Sequence, residues 1–164
     1  MYSFTRLAES VFHRLGGLAG HRLTDGGRRI LMSSALAACE EGLEVYRSAV
    51  KSGRMTELML TAVDELKMCG ITPEDLTGAA MGLKSRGLAQ KLRELSAVYA
   101  AYDALVAASY LDSRDDLTRL YEALEGADSF SGCTVAVDSF EGFTQQELKV
   151  LSRLMTQADR VLVS

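Results

Sequence analysis

The sequence predicts a mainly α-helical protein that ends in a short β-α-β segment. Apolar residues recur at helical spacing in six segments of the first 126 residues. After Gly126, two short apolar runs rich in β-branched residues flank one more helical segment. We therefore expect a helical bundle over residues 1–126 and a β-α-β piece of an incomplete parallel α/β domain over 127–164, since two buried parallel strands do not form a stable sheet alone.

Apolar spacing and cap residues place the helical segments. Thr72-Pro73 is the clearest start, because a threonine hydroxyl accepts a backbone hydrogen bond at the N-cap and proline suits the first helical turn. Gly16-Gly17 and Gly26-Gly27 are interpreted as loop glycines. The expected ranges are 3–15, 28–41, 54–68, 73–82, 87–109 and 112–125. In the longest segment, apolar side chains alternate steps of four and three, which predicts one narrow buried seam: Leu88, Leu92, Leu95, Tyr99, Tyr102 and Val106.

Two strands are expected near the end of the sequence. Cys133–Val137 and Arg160–Ser164 are short apolar runs of the kind found in parallel strands buried on both faces. Between them, Thr144 and Glu147 have the spacing of a capping box, which predicts that a helix begins there. Strands connected through one helix should run parallel, with a right-handed crossover.

The composition is that of a soluble globular protein. Hydrophobic residues make up 48 %, charged residues 24 %, and the mean hydropathy is near zero. No apolar run approaches the roughly 20 residues that cross a bilayer, and the N-terminus lacks the pattern of a secretory signal. We therefore expect a cytoplasmic protein without a membrane partner. Cys39, Cys69 and Cys133 lack disulfide or metal-site spacing, so we expect them to be small buried side chains.

Charge is unevenly distributed along the sequence. Residues 1–30 contain five arginines and two acids, whereas residues 112–147 contain nine acids and two arginines. The basic N-terminal region permits an anionic partner. The alternative is a set of solvated helix faces whose charges balance in the folded protein.

One carboxylate stands where chemistry is possible. In P-loop motors an apolar strand ends in an acid that holds Mg²⁺ beside the phosphates, and here Asp138 follows such a strand. The alternative is an acid that only caps a turn. The sequence contains no GxxxxGK[ST], so the loop that cradles phosphates is absent from it.

The residues after this strand resemble the Walker B region of UvrD-like helicases, in which the strand ends in Asp-Glu-Phe-Gln-Asp. Asp138 matches the metal-coordinating acid and Phe140 the phenylalanine. Ser139 stands in place of the glutamate that positions the attacking water, and Glu141 in place of the glutamine. The string Asp-x-Phe-x-Gly-Phe-Thr-x-Gln-Glu-Leu, residues 138–148, is similar to the AddB family, also named RexB. The resemblance implies a degenerate, non-hydrolysing Walker B-like site.

The N-terminal segment resembles the part of related helicases in which a Phe-Thr pair touches single-stranded DNA. By this resemblance Phe4, Thr5 and Arg6 are DNA-binding candidates, and Arg14 is a further candidate for phosphate contact. The alternative, that these residues cap and solvate the first helix, stays open. Tyr99, Tyr102 and Phe140 are possible stacking residues, but their spacing favours core positions.

The AddB resemblance implies an internal fragment of the AddB-type subunit of an ATP-dependent helicase–exonuclease, with a helical insert and part of a helicase-like core. Such complexes act in double-strand break repair and DNA recombination. The implied partners are single-stranded or forked DNA and an AddA-type helicase subunit in a heterodimer. No catalytic residue or metal site is expected in this chain; ATP, Mg²⁺ and an iron–sulfur cluster are implied only for the parent complex.

A second hypothesis is a self-contained helical protein–protein interaction domain without a nucleic-acid role. It is motivated by the acidic pI of 5.2 and by the seam on the longest helix. An autonomous ATPase is the least favoured hypothesis, because Ser139 replaces the glutamate.

Overall fold

A computed structural model describes residues 2–164, and the chain divides into two compact units. Unit 1 combines the chain up to Gly20 with Arg114–Ser164, and unit 2 is His21–Ser113. The fold is mainly α with two small parallel pairs of strands, which confirms the predicted fold class.

Seven α-helices and four strands are found within residues 2–164. The helices are α1 Phe4–Leu15, α2 Asp25–Cys39, α3 Gly53–Met68, α4 Pro73–Met81, α5 Arg86–Ala107, α6 Asp116–Glu125 and α7 Gln145–Gln157. The strands are β1 His21–Arg22, β2 Tyr110–Leu111, β3 Thr134–Val137 and β4 Arg160–Val163. Short 3-10 turns occupy Glu40–Gly42, Arg47–Ala49 and Ser113–Asp115. None of the helices in the described range is long and apolar enough to span a bilayer.

Cap residues set the helix starts. Thr144 forms the predicted capping box with Glu147, and Thr72 is the N-cap of α4, as predicted. Asp75 completes a capping box at Thr72 that was not predicted. Helix α2 begins earlier than predicted, because the Thr24 hydroxyl accepts a hydrogen bond from the Gly27 amide at 3.1 Å. Gly26 and Gly27 therefore belong to the first turn of α2, and their interpretation as loop glycines is wrong. The N-cap bond, with Asp25 at the positive end of the helix, offsets the entropic cost of two glycines.

Unit 2 encloses its own apolar core. Tyr99 and Tyr102 are buried in it, which confirms their predicted core position, and the seam on α5 packs inward from Leu92 onward. Leu88, the first predicted seam residue, is instead 47 % exposed. The core consists of Met32, Ala35, Leu36, Leu43, Val50, Met59, Leu60, Val63, Leu76, Val98, Tyr99, Tyr102 and Val106.

A buried arginine ties together distant parts of unit 2. The Nε of Arg28 on α2 donates to Asp112 Oδ2 at 3.1 Å, and its Nη1 donates to Asp64 Oδ2 at 3.2 Å. The Tyr102 hydroxyl donates to Asp112 Oδ2 at 2.7 Å. Asp112 is 1 % exposed and Arg28 is 7 % exposed, so the charges are compensated by each other rather than by water.

A buried glutamate holds the loop after α2. Glu94 of α5 is 3 % exposed, and its carboxylate accepts backbone N–H hydrogen bonds from Glu44, Val45 and Tyr46 at 2.8 to 3.1 Å. The side-chain amide of Gln90 donates a further bond at 2.9 Å. One side chain therefore satisfies three backbone donors of a segment without regular structure.

Strands β1 and β2 were not predicted. His21 pairs with Tyr110 and Arg22 with Leu111, in parallel. Two-residue strands carry no alternation in sequence, and the partners are almost ninety positions apart, so no local pattern indicates them.

Unit 1 is built around the β-α-β segment. Strands β3 and β4 are parallel, as predicted, with Thr134 paired to Arg160 and Val137 to Val163. The buried cluster that supports them draws on α1, α6, β3 and α7: Ala8, Val11, Phe12, Leu120, Leu124, Val137, Val150, Leu151 and Leu154.

The two strands are less covered than their sequence predicts. Val137 is buried, but Leu162 is 46 % and Val163 65 % exposed, and Ala136 is also exposed. The expectation of strands buried on both faces is therefore wrong for this chain. Each strand has one hydrogen-bonded neighbour in the two-stranded sheet, so each leaves one edge and much of one face uncovered.

The two units of the structure do not coincide with the predicted division of the chain at residue 126. The predicted boundary follows a change in composition, whereas α1 and α6 contribute Val11, Leu120 and Leu124 to the same buried cluster as Val137 of β3. Helix α1 precedes unit 2 in the sequence and α6 follows it, and both pack against the β-α-β segment. They cover an apolar face that the segment could not bury by itself.

The cysteines are not all buried. Cys69 and Cys133 are exposed and Cys39 is partly buried, so the prediction of three buried thiols is wrong. Cys69 occupies the C-cap of α3 and Cys133 precedes β3, and element ends of this kind lie in solvent.

Candidate functional site

Unit 1 brings together two sequence segments that are far apart in the chain. The ring of Phe4, at the start of α1, meets Phe140, in the loop after β3, in an edge-to-face contact with centroids 5.4 Å apart. Phe143 completes the group, at 5.1 Å from Phe140 and 6.3 Å from Phe4. We name Phe4, Phe140 and Phe143 the aromatic cluster. Sequence reasoning selected Phe4 and Phe140 separately and did not select Phe143.

Helix caps fix the positions of these rings. The Ser3 hydroxyl accepts a hydrogen bond from the Arg6 amide at 3.3 Å, which places Phe4 at the first helical position of α1. On the other side, the Thr144 amide donates to Glu147 Oε2 at 2.7 Å and starts α7 directly after Phe143. The two chain segments that carry the rings are therefore each fixed by a short-range helix-cap hydrogen bond.

The aromatic cluster is partly open to solvent. Phe140 is 41 % exposed, whereas Phe4 and Phe143 are half-buried. The predicted core position of Phe140 is therefore wrong, because the loop after β3 carries it to the edge of the unit. Pairs of this geometry contribute roughly 0.5–1.5 kcal/mol each beyond area burial, so Phe140 is held in place while leaving surface for a ligand.

A cleft of about 570 Å³ adjoins the aromatic cluster. It is mainly apolar, and its charged lining side chains are Arg14 of α1 and Asp138 at the end of β3. The Arg14 guanidinium lies 5.9 Å from the centroid of the Phe130 ring. The full lining is Tyr2, Ser3, Phe4, Leu7, Ser10, Arg14, Phe130, residues 134–138, Phe140, Leu151 and Leu154.

Of the predicted DNA-binding residues, the structure places Phe4 and Arg14 at the cleft. Thr5 and Arg6 are exposed in the first turn of α1 and are not among the lining residues. One helix thus carries all four candidates, two that line the cleft and two that do not.

Asp138 is held at the edge of the strand pair. The Ser164 hydroxyl, which follows β4, donates to Asp138 Oδ1 at 2.6 Å. This bond, with one from the Ser139 amide, holds the pKa of the exposed Asp138 carboxyl below its usual range. Sequence reasoning missed Ser164, although the signal was present: the carboxyl ends of parallel strands meet at one edge.

Ser139 has an unusual backbone conformation. Its φ of 65° lies in the left-handed region, where residues other than glycine are uncommon. The chain therefore turns sharply after Asp138 and carries Phe140 toward Phe4. Glu141, the next residue of the predicted Walker B-like string, is exposed.

The residues at this strand end do not fit a complete nucleotide–Mg²⁺ site. Within residues 2–164, no three His, Cys, Asp or Glu side chains are grouped so that they could hold a metal ion. Ser139 offers a hydroxyl where a carboxylate would orient water, and the sequence lacks the loop that binds phosphates. We therefore derive no hydrolytic step for this chain.

Comparison with known proteins gives a consistent family. The N-terminal region of AddB ("ADDB, N-terminal") matches residues 1–164. The B-type subunit of the ATP-dependent helicase/deoxyribonuclease from Thermoanaerobacter sp. (strain X514) is 36% identical over 162 residues, which are 99% of this chain and 14% of that protein. The proteins of the same name from Caldanaerobacter subterraneus subsp. tengcongensis and Clostridium botulinum (strain Loch Maree / Type A3) are 32% and 26% identical over 162 residues, with the same coverage.

The chain thus spans about 14% of the length of these curated relatives. Because the family match extends over all 164 residues, the chain belongs to the AddB family and corresponds to its N-terminal region.

Proposed function

We propose that this chain is a non-hydrolysing, DNA-proximal segment of the AddB-type subunit of an ATP-dependent helicase–exonuclease that acts in double-strand break repair and recombination. The name of its relatives, which describes an ATP-dependent helicase/deoxyribonuclease, supports the complex and the class of substrate. The observation that carries the DNA-proximal role is the aromatic cluster, in which a partly exposed Phe140 stands beside a cleft whose charged lining residues are Arg14 and Asp138.

The chemistry of this site suits single-stranded DNA. An exposed ring offers a stacking surface to any base, and arginine binds phosphate through charge-assisted hydrogen bonds. Phe140 is the stacking residue, with Phe4 behind it. Arg14 lies in the cleft to receive a phosphate, and Thr5 and Arg6 extend the same helix for further backbone contacts.

The partner subunit supplies the nucleotide chemistry in this proposal. At Asp138 the strand end keeps one acid of the motor arrangement, but Ser139 cannot act as the base that orients water. An AddA-type helicase subunit in a heterodimer is then the source of ATP-driven unwinding, and this segment holds the emerging strand.

The alternative of a helical interaction domain loses one of its two supports. The seam on α5 packs inside unit 2 from Leu92 to Val106, so it offers no open surface to a partner.

The test is binding of a fluorescently labelled single-stranded oligonucleotide to the full-length protein that carries this chain, measured by anisotropy. We expect Phe140→Ala to weaken binding by about 5-fold or more, because stacking on an aromatic side chain is worth about 1–3 kcal/mol per base. Tyr110→Ala is the matched control, since Tyr110 is an aromatic residue of equal exposure, 41 %, in unit 2. Equal affinities for the two variants would contradict the stacking role of Phe140.

A further inference from the structure

The start of helix α5 carries a basic surface that is separate from the candidate site. Lys84, Arg86, Lys91 and Arg93 lie within ten residues, and no acid lies between Leu83 and Arg93. We propose that these four side chains form a docking surface for the phosphate backbone of duplex DNA. The inference rests on the proposed function, in that the parent protein acts on DNA, and it adds a second contact in unit 2.

The four cations are available to an external anion. All four are exposed, and none of them forms an ion pair within residues 2–164. The formal net charge of the whole chain is −4, so this segment with four positive charges is opposite in sign to the chain as a whole. Uncompensated cations of this density attract polyanions and are the usual footprint of a nucleic-acid surface.

Several other cations of unit 2 form ion pairs within the unit. Arg28 is bound to Asp64 and Asp112, Arg29 pairs with Glu57 at 2.5 Å, and Lys67 pairs with Asp103 at 2.9 Å. The cations at the start of α5 form no such pair within residues 2–164, and neither does the exposed Arg54. What sets the α5 start apart is that four such cations lie within ten residues.

The geometry of α5 suits an extended phosphate backbone. Arg86 and Arg93 are seven positions apart, so they lie on the same side of the helix about 10 Å from each other, whereas Lys91 projects from another side of the same helix end. Lys84 precedes the helix, and the first turn of α5 contains no acid, so the positive end of the helix dipole adds to the side-chain charges. The exposed positions that follow on this side are alanines, which permit close approach: Ala97, Ala100 and Ala104.

Duplex rather than single-stranded DNA is the occupant that this surface favours. Proteins that hold single strands interleave their cations with aromatic side chains, and the segment from Leu83 to Arg93 contains no aromatic residue. Cations without base-reading or stacking groups position a duplex through its phosphates, irrespective of sequence. Met81 and Leu88 are exposed beside the cations, so an acidic protein partner is the competing outcome that the test must separate.

The experiment uses the full-length protein with all four cations changed to glutamine: Lys84→Gln, Arg86→Gln, Lys91→Gln and Arg93→Gln. The matched control neutralises four exposed cations elsewhere: Lys51→Gln, Arg54→Gln, Lys149→Gln and Arg160→Gln. A third variant, Arg86→Lys with Arg93→Lys, keeps the charge. Binding of a labelled blunt duplex is measured by anisotropy over a series of salt concentrations, and a single strand of equal length is measured in parallel. Thermal unfolding checks that each variant is folded.

For duplex, the slope of log affinity against log salt is about −0.9 per phosphate contact. We expect the quadruple variant to make the slope shallower by about 2 to 4 and to weaken duplex binding at least about tenfold at low salt. The control and the lysine variant should keep the wild-type slope, and single-strand binding should change much less.

Three results would overturn the inference. One is an unchanged duplex slope in the quadruple variant, and another is an equal loss in the control, which would indicate diffuse electrostatics. The third is intact duplex binding together with lost association with a protein partner. Failure of the proposed function looks different, because the wild-type protein would then bind neither duplex nor single-stranded DNA.

Discussion

The carboxylates that distinguish the two units stand in opposite environments. Unit 2 buries Arg28, Asp112 and Glu94 and gives each of them compensating partners inside the protein. Unit 1 keeps its distinctive carboxylate, Asp138, at an exposed strand end with the Ser164 hydroxyl as partner. A buried charge is costly to disturb and suits a structural role, whereas an exposed one is free to meet a ligand. The difference predicts that Arg28, Asp112 and Glu94 stabilise unit 2, as the buried Asp116 and Gln146 do in unit 1, and that Asp138 contributes little to stability.

The largest expected loss of stability concerns the buried Arg28 of unit 2. We expect Arg28→Ala to lower the free energy of unfolding by about 3–5 kcal/mol, since it leaves the buried Asp112 carboxylate without its cation. The neighbouring Arg29→Ala is the control and should cost less than about 1 kcal/mol, because Arg29 and Glu57 form an exposed pair. Urea unfolding followed by circular dichroism measures both. Similar costs for the two variants would remove the structural role of the Arg28 network.

Glu94 gives an intermediate effect with a defined pH dependence. Burial raises the pKa of its carboxyl, but hydrogen bonds from the amides of Val45, Glu44 and Tyr46 and from Gln90 outweigh burial, and the pKa falls below its usual range. The stabilisation is therefore fully present above the ordinary glutamate pKa of about 4.3 and is lost as the pH falls through the lower folded-state value.

We accordingly expect Glu94→Gln to cost about 2 kcal/mol at pH 7, because an amide nitrogen cannot accept the backbone N–H groups. Urea unfolding from pH 7 down through the acid range should show a smaller loss of stability in this variant than in the wild type. Glu44→Gln, at an exposed position of the same loop, is the control. A wild-type and a Glu94→Gln protein with parallel pH profiles would refute this account of the loop.

The smallest expected effect concerns unit 1. Ser164→Ala removes the hydroxyl that lowers the pKa of Asp138, so this pKa should move up toward the ordinary aspartate value, with little change in melting temperature. Titration of the Asp138 carboxyl carbon by NMR measures the shift. Ser131→Ala, an exposed serine in the loop before β3, should leave the titration unchanged. A large loss of melting temperature in Ser164→Ala would show that unit 1 depends on its strand end as unit 2 depends on Arg28.

Local rules predicted the parts of this fold that local interactions determine. The hydroxyl and acid at Thr72 and Thr144 specify helix starts within three residues, and both capping boxes form. The two late apolar runs specify a parallel pair, because a single helix connects them.

What the sequence did not predict depends on contacts between distant residues. Strand β1 requires β2, and the bond from Arg28 to Asp112 joins positions 84 apart. The candidate site shows the same limit. Phe4 and Phe140 were each recognisable from their neighbours, but their contact, and the addition of Phe143, follows from how α1 packs beside β3. Residue spacing along the sequence does not predict how these two elements pack together.

The discontinuity of unit 1 has a consequence for biosynthesis. Unit 2 is one continuous stretch, His21–Ser113, and has all its contacts once that stretch has left the ribosome. Helix α1 emerges before unit 2, yet its buried partners Leu120, Val137 and Leu154 are translated only after the whole of unit 2. At about 5–20 residues per second, this helix waits for about 5 to 30 s before these partners are synthesised. Unit 2 can therefore fold before the two parts of unit 1 meet.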